Sequence, residues 1–428
     1  MLGIIIGLAL LMFLAYRGMS IIWIAPLCAL LVAFSGGLEL LPAYTTTYMA
    51  GFVSFAQAWF PVFMLGAIFG KVMDDSGAAK SVASAVIKLV GTKFAIMAVV
   101  LACAVLTYGG VSLFVVVFAI YPLAVALFRE ANITRKLIPG AIALGSFTFT
   151  MTAIPGTPQI QNIIPTRYFG TTPTAAPIMG IAGAIIMFGV GMLWLTYREK
   201  QYAAAGVGFV EPETKVQAVD TADLPNPWLS AVPLVLVIVT LNFIEAITIV
   251  PALLIGIIAA IALNIKRLPK IIETINGGAA GSVIAIINTS AAVGFGAVVR
   301  AVPGFNQLTD FVLGIRGNPL ISEAVAVNIL AGATGSASGG MGIALEALAE
   351  QYIALSASSG IPLEAFHRVA SLSSGGLDTL PHNGAVLTLL AVCAMTHKDS
   401  YKDIFMVGTA IPILAVIVAI ILASLGIY

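Results

Sequence analysis

A nine-residue polar interruption, Gly376 to Gly384, divides an apolar run near the C-terminus that is otherwise long enough to cross a bilayer. Pro381 removes a backbone donor and clashes with the preceding turn, so a helix kinks or ends there. Backbone groups freed at membrane depth are tolerated only where they face protein or a water-filled cavity. Asp378 and His382, both ionisable, lie beside the proline, and such residues are functional candidates by default. We therefore expect a broken helix that lines a polar site.

The composition predicts a polytopic, all-α membrane protein. Of the 428 residues 60% are hydrophobic and only 9% are charged, whereas a soluble domain carries about 25% charged residues. The net charge of +1 and the absence of a basic tract do not suggest nucleic-acid binding. Three cysteines without metal-ligand spacing indicate neither a disulfide nor a metal site, so no cofactor is expected. The longest polar stretch, 198–227, is too short for a catalytic domain, and we expect a protein that is not an enzyme.

The chain reads as two similar halves joined by that polar, proline-bearing stretch. We predict a first repeat over 1–197, a cytoplasmic linker over 198–227 and a second repeat over 228–428. Four landmarks recur in the same order at offsets of 226 to 230 residues, which indicates internal duplication. The matching pairs are Phe69-Gly70 with Phe295-Gly296, Gly77 with Gly304, Gly109-Gly110 with Gly339-Gly340, and Pro155 with Pro381.

Each half is expected to contain three spanning helices, a surface segment, a re-entrant hairpin, a broken helix and a last span. The hairpin arms could instead be ordinary spans with packing glycines, and the surface segment could be the start of the next span. In the first half the segments are 2–16, 21–38, 49–70, 76–90, 94–107 with 111–128, a helix from 137 broken at 155–158, and 176–197. In the second half they are 229–243, 247–264, 275–298, 304–315, 320–333 with 341–357, 363–396, and 402–426.

The charge distribution supports an inverted topology. Five crossings per half, an odd number, turn the second repeat upside down relative to the first. With the linker in the cytoplasm, sixteen of the twenty Lys and Arg residues fall inside, as the positive-inside rule requires. Both termini are then periplasmic, and His367 and His397, near predicted membrane edges, are expected to be solvated. The four residues outside are Arg167, Arg300, Arg316 and Arg368.

The polar residues of the two breaks and the two hairpin tips are the candidates for substrate binding. Half-helix N-termini near the midplane aim positive dipole ends at an anion. Apart from His382 these side chains are neutral, and no Arg or Lys lies in the four loops, which favours a hydroxylated monoanion over a di- or tricarboxylate. Many of the hydroxyls could instead hydrogen-bond to their own backbone or to a neighbouring helix. The candidates are Tyr108, Gly109, Gly110, Ser112, Thr157, Gln159, Gln161, Asn162, Thr334, Ser336, Ser338, Gly339, Thr379, His382 and Asn383.

Three residues are candidates for proton coupling: Asp378, His382 and Glu346. Asp378 could alternatively be a structural partner of Asn383, and His382 a capping or packing residue. Glu346 shares a helix face with Glu350 at a spacing of four residues. If their hairpin arm is buried they could couple protons, and otherwise they flank the pore mouth.

Three motifs resemble the gluconate permease (GntP) family, which is similar in outline to the ion-transporter superfamily of citrate and dicarboxylate carriers. They are Ser76-Gly-Ala-Ala79, Ala333-Thr-Gly-Ser-Ala-Ser-Gly-Gly-Met-Gly342 and Ser373-Ser-Gly-Gly-Leu-Asp-Thr-Leu-Pro-His-Asn-Gly384. The resemblance implies proton-coupled uptake of gluconate or 3-hydroxybutyrate across a bacterial inner membrane. It also implies an inverted-repeat fold with two re-entrant hairpins in a lipid-embedded homodimer that moves like an elevator. The Ser-Asn-Thr sodium signature of the dicarboxylate carriers is not evident, so sodium coupling is less expected.

Three other functions stay open on the sequence. Sodium symport of a dicarboxylate is the nearest. An intramembrane serine hydrolase would use Ser336 or Ser338 with His382 as nucleophile and base. A passive channel is the third, and it would not concentrate its substrate.

Overall fold

The computed structural model describes residues 2–212, 223–244, 246–307, 318–381 and 383–428. Every regular element in these ranges is helical. The predicted segment 304–315 lies outside the described residues beyond 307, as do the middle of the linker and His382.

The first half contains ten helices, including a broken one. The third helix has a π-helical turn at Ala43–Tyr48 near its start. The fourth helix makes an angle of 98° with the helix that follows it, so it does not continue in the direction of that span. The helices are α1 (Leu2–Tyr16), α2 (Ile21–Ser35), α3 (Leu40–Asp75), α4 (Ala78–Val90), α5 (Ala95–Tyr108), α6 (Leu113–Glu130), α7 (Ile138–Ser146), α8 (Phe149–Thr152), α9 (Ile160–Phe169) and α10 (Pro177–Ala204).

The second half repeats the order of elements. Its last helix has a π-helical turn at Met406–Ala410, and the broken helix ends at Val392, four residues before the predicted end at 396. The helices are α11 (Pro227–Phe243), α12 (Ile249–Asn264), α13 (Ile271–Ala301), α14 (Pro319–Thr334), α15 (Ala337–Ser359), α16 (Leu363–Ser374), α17 (Gly384–Val392) and α18 (His397–Ser424).

The predicted fold class is confirmed: an all-α membrane protein with a helical hairpin and a broken helix in each half. In the described ranges six helices are long and apolar enough to cross a membrane, namely α3, α6, α10, α12, α13 and α18. The bent pair α4 and α5 makes a seventh if it is counted as one span, and α1, α2, α11 and α14 are shorter apolar helices.

The packing between the halves is reciprocal, as inverted repeats require. α3 and α13 form the most extensive helix pair, α2 packs on α13, and α12 packs on α3. The helix after each break also packs on an arm of the other half's hairpin, α9 on α15 and α17 on α6. Small residues permit the central contact, since a Cβ at Gly278 would lie 2.6 Å from Cα of Ile68.

The two hairpins are built on tight backbone approaches. α5 and α6 are joined through Gly110, which has φ +95° and is open to the left-handed conformation because it lacks a Cβ. In the second hairpin α14 and α15 are separated only by Gly335 and Ser336. A Cβ on Gly340 would overlap the backbone of Ala331, so the arms can meet this closely only with glycine there.

Candidate substrate site at the two helix breaks

The first break separates α8 from α9 and is fixed to the tip of the first hairpin. Gln159, at the N-cap position of α9, does not cap its own helix. Its Nε2 donates to the carbonyl oxygens of Thr107 at 2.6 Å and Val111 at 3.3 Å. The Tyr108 hydroxyl donates to the carbonyl of Pro155 at 3.1 Å. The structure therefore brings two of the predicted groups, the tip and the break, into direct contact.

The second break, between α16 and α17, is held to the second hairpin through Asn383. Its Oδ1 caps α17 by accepting from the amides of Ala385 at 2.6 Å and Val386 at 3.0 Å. Its Nδ2 donates to the Gly335 carbonyl and to Asp378 Oδ1, both at 2.8 Å. The amide of Ala337 also hydrogen-bonds Asp378. Asp378 is thus a partner of Asn383, one of the two roles expected for it, and is joined to the hairpin tip.

The two breaks begin side by side. Ser371 Oγ in α16 donates to the Thr152 carbonyl at the end of α8 over 2.8 Å. A Cβ on Gly375 would lie 3.1 Å from Cγ2 of Thr152. The start of the first break therefore contacts the start of the second, and the predicted residues of both halves belong to one region.

A buried arginine that the sequence analysis placed outside the membrane reaches the first break. Arg368 in α16 is 0% exposed. Its Nη1 donates to Asn162 Oδ1 at 2.9 Å and to the Ala153 carbonyl at 3.3 Å. Nε and Nη2 donate to the Ala175 carbonyl at 3.0 and 2.6 Å, and Nη2 also reaches the Pro173 carbonyl at 3.4 Å. All five N–H donors are used, and none goes to a carboxylate in the described part of the chain.

His367 is likewise buried, so the prediction that it is solvated was wrong. Its Nδ1 lies 2.6 Å from Thr171 Oγ1, and its Nε2 lies 3.3 Å from Asn162 Oδ1. The reason for both errors is that α16 packs between α14 and α9. Arg368 precedes Gly376 by eight residues, about 12 Å along a helix, and this spacing could have placed it near the break. No Arg or Lys lies in the four loops themselves. Arg368 nevertheless reaches the first break from α16, through its hydrogen bond to the Ala153 carbonyl.

Several buried oxygen atoms around the breaks have no hydrogen-bond partner in the described residues. Buried polar groups are nearly always satisfied, so such a set marks where donors from outside the protein can bind. Asn242 lies at the first break, since its Nδ2 donates to the Gly156 carbonyl at 2.9 Å. Asn328 lies at the second, where its Oδ1 occupies the space that a Cβ of Gly376 would take. The oxygens are Thr107 Oγ1, Gln161 Oε1, Asn242 Oδ1, Asn328 Oδ1 and Ser373 Oγ.

Other predicted residues serve the local structure in this conformation. The hydroxyls of Thr157 and Thr334 donate to the carbonyls of Thr150 at 2.8 Å and Leu330 at 2.9 Å. Thr379 Oγ1 lies 2.8 Å from Oγ1 of Thr409, which is in the π-helical turn of α18, and such turns are frequent at functional sites.

At the hairpin tips, Ser336 Oγ caps α15 by accepting from the Gly339 amide at 3.1 Å. Ser338 Oγ lies 3.4 Å from the hydroxyl oxygens of both Ser336 and Thr289. Ser112 is at the N-cap position of α6 without a side-chain capping bond, and Gly109 packs against Leu234.

Glu346 is not brought to the breaks. It lies nine residues into α15, about 14 Å from the hairpin tip. It accepts from the Tyr168 hydroxyl at 3.1 Å, and Arg300 lies 3.8 Å from it and 3.6 Å from Glu350. Glu346 and Glu350 thus share a face, as predicted, but they form a charged group beside α9 and α13. A cavity of about 220 Å³ at the ends of α1, α2 and α13 is also remote from the breaks.

The site therefore combines neutral donors and acceptors, the N-termini of α9 and α17, the buried guanidinium of Arg368 and the carboxyl of Asp378. No group of three or more His, Cys, Asp or Glu side chains suited to a metal ion occurs among the described residues. This arrangement is suited to holding a small anion with hydroxyl groups.

Comparison with known proteins agrees with this architecture. Residues 1–425 match the family described as GntP family permease. An "uncharacterized transporter YxjC" of Bacillus subtilis (strain 168) is 45% identical, over 99% of this chain and 98% of that relative. The crystal structure of the Alcanivorax borkumensis YdaH transporter, described as having an unusual topology, superposes with a TM-score of 0.59 over 89% of this chain and 87% of that one, and its 16% identity makes this a likeness of fold alone. The chain belongs to the family of GntP permeases, which are multi-pass membrane transporters.

Proposed function

We propose that this transporter is a proton symporter that imports a small hydroxylated monocarboxylate, such as gluconate or 3-hydroxybutyrate, across a bacterial inner membrane. The observation that carries the proposal is the charge of Arg368. It is fully buried beside the first break and has no carboxylate partner in the described chain. The side chains around it are neutral, so a single carboxylate would balance this charge.

A dicarboxylate fits this balance less well. Its second negative charge would face only neutral donors and helix dipoles, and an uncompensated buried charge costs several kcal/mol. The side-chain oxygens of Asn242, Asn328 and Gln161 have no partner among the described residues and are free to accept hydrogen bonds. Substrate hydroxyls can supply the donors. A hydroxy acid with one carboxylate therefore matches both the charge and the hydrogen-bonding capacity of the site.

The substrate would lie between the hairpin tips and the breaks. Because Gln159 and Asn383 tether each tip to its break, release requires these contacts to open or the whole unit to move, as in an elevator-like mechanism. We place the linker in the cytoplasm and both termini in the periplasm, and we expect a homodimer of two-repeat chains.

Transport by the full chain in proteoliposomes tests the coupling. A pH gradient of one unit is worth about 1.4 kcal/mol per proton, enough for about tenfold accumulation with one proton per substrate. We expect a gradient that is acid outside the vesicle, on the periplasmic face, to concentrate labelled gluconate or 3-hydroxybutyrate. Accumulation driven by a sodium gradient alone would support sodium symport instead, and equilibration without accumulation would support a channel.

A thermal-shift screen tests the substrate class. A ligand that binds the folded state raises the melting temperature by mass action. Hydroxylated monocarboxylates should raise the melting temperature at concentrations where di- and tricarboxylates of similar size do not. We expect the same result whether or not sodium is present. Stabilisation by dicarboxylates alone would overturn the charge argument.

A further inference from the structure

A second carboxyl, Glu323 in α14, is buried in the arm of the second hairpin. It is 0% exposed, and neither Oε1 nor Oε2 has a hydrogen-bond partner in the described structure. It also takes part in none of the ion pairs formed by the described residues. This sets it apart from Glu346 and Glu350, which share Arg300.

The polar atoms beside Glu323 are also cut off from other polar groups. Tyr352 in α15 lies close to Glu323, and its hydroxyl lies within reach of the Ser322 hydroxyl. Among the described residues these two buried hydroxyls have no partner other than each other, while the Tyr352 ring packs against Phe366 with centroids 5.9 Å apart. Four oxygen atoms from three side chains are thus enclosed between α14, α15 and α16.

Among the described residues of the helices packed against α14, no charge compensates a carboxylate here. On α15, Glu346 and Glu350 point to Arg300, and on α16, Glu364 is exposed. His367 and Arg368 direct their nitrogen atoms to the first break.

In the described part of the chain α14 also packs against α1, whose one titratable residue is Tyr16, and against the 411–424 part of α18, which has none. The loop of the second break contacts α14 at Asn328 and Gly332, and its one carboxyl, Asp378, is hydrogen-bonded to Asn383. An isolated carboxylate in such surroundings is so unfavourable that the group takes up a proton instead.

We propose that Glu323 is a proton-carrying carboxyl of the transport cycle, protonated in this conformation, a role that rests on the proton symport proposed above. When the second hairpin exposes α14 to the aqueous phase, the O–H bond of the carboxyl breaks, the proton passes to water and a carboxylate remains. Reprotonation on the other side of the membrane resets the cycle. Asp378, which Asn383 joins to the hairpin tip, and Glu323 in the hairpin arm then belong to one moving unit.

Glu323→Gln tests this role, because glutamine resembles the protonated carboxyl in size and charge. In proteoliposomes we expect counterflow at equal pH to stay within about twofold of wild type, while accumulation driven by a one-unit pH gradient falls about tenfold, to equilibration. Glu364→Gln is the matched control, the same change on an exposed position of α16, and should keep both activities. Accumulation by Glu323→Gln equal to wild type would overturn the proposal.

Infrared difference spectroscopy of the purified full chain separates this inference from the proposed function. The wild-type spectrum minus the Glu323→Gln spectrum at neutral pH should contain the carbonyl stretch of a buried protonated carboxyl, whether or not gluconate is the substrate, because any band of Asp378 is common to both spectra and cancels. Absence of this difference band would overturn the assignment. If the glutamine variant does not fold, Tyr352→Phe serves instead: removal of the adjacent hydroxyl should shift the band, and an unshifted band counts against Glu323.

Discussion

Arg368 Nη1 donates a hydrogen bond to Asn162 Oδ1 over 2.9 Å, and this bond joins the helix before the second break to the helix after the first. Asn162 in turn donates through Nδ2 to the carbonyls of Thr157 at 3.0 Å and Pro173 at 2.8 Å. The loops on both sides of α9 are therefore fixed from α16. The two broken helices form one unit in which a change at Arg368 disturbs the first break directly.

Two substitutions of Arg368 separate the effect of its positive charge from the effect of its five planar N–H donors. Hydrogen bonds from charged donors contribute about 1.5–3 kcal/mol each, so we expect Arg368→Gln to lower the melting temperature and to abolish binding of gluconate. Arg368→Lys keeps the charge but cannot make five planar contacts, and should retain weakened binding. Arg167→Gln, on the exposed side of α9, is the control in thermal-shift titrations. Wild-type affinity in Arg368→Gln would contradict the charge argument.

Asn383→Ala should cost more function than the loss of a helix cap explains. An N-cap substitution costs about 1 kcal/mol, and this one also removes the bonds to Gly335 and Asp378. Asn226→Ala is matched, since Asn226 caps α11 through the amides of Trp228 and Leu229 away from the breaks. In thermal unfolding Asn226→Ala measures the loss of a cap alone, and Asn383→Ala should lose more stability because of the two further bonds. Only Asn383→Ala should lose uptake in proteoliposomes. Equal uptake by the two variants would show that the tether to the hairpin is dispensable.

Asp378→Asn should uncouple accumulation from the pH gradient. Asparagine cannot exchange a proton and offers one acceptor oxygen, whereas Asp378 receives bonds from Asn383 and Ala337. We expect gradient-driven accumulation to fall about tenfold, the value of one proton across one pH unit, while counterflow persists at a reduced rate. Asp223→Asn, exposed in the linker, is the control. Full accumulation with normal pH dependence in Asp378→Asn would remove it from the coupling pathway.

The sequence was sufficient for the fold because proline and glycine act locally. Pro381 and the two predicted glycine pairs impose breaks and close approaches in an apolar run. In the structure Pro381 lies in the second break and Gly110 at the tip of the first hairpin. Gly340 lies in the first turn of α15 and not in the tip loop, and there it lets the two arms meet. The predicted hydroxyls were less informative. Thr334 bonds to its own helix, a competition between side chain and backbone that a sequence does not resolve.

The groups that sequence reasoning missed are those whose burial depends on packing between halves. His367 and Arg368 read as the polar end of a span, yet α9 and α14 cover them. Glu323 carried a clear signal, a lone ionisable residue within an apolar hairpin arm, which is costly at membrane depth and therefore a functional candidate. Its isolation from the charges of the described helices became visible only when those helices were in place.

Gly376→Ala tests the packing of the second break against the hairpin arm. A Cβ at Gly376 would overlap Oδ1 of Asn328, and overpacking of this kind typically costs about 1–3 kcal/mol. We expect a lower melting temperature and a loss of uptake, because α14 would be pushed away from the break. Gly384→Ala, at the first residue of α17, is the matched control on the far side of the break, since nothing lies within 4 Å of its Cβ position.

The double variant Gly376→Ala with Asn328→Ala separates sterics from backbone freedom. Removing the Asn328 amide empties the space that the new methyl group needs, so the melting temperature should recover relative to Gly376→Ala alone. Uptake should recover less, because the Asn328 oxygen is one of the unpartnered acceptors proposed to bind substrate hydroxyls. A double variant as unstable as the single one would mean that Gly376 is required for its backbone conformation and not for its contact with α14.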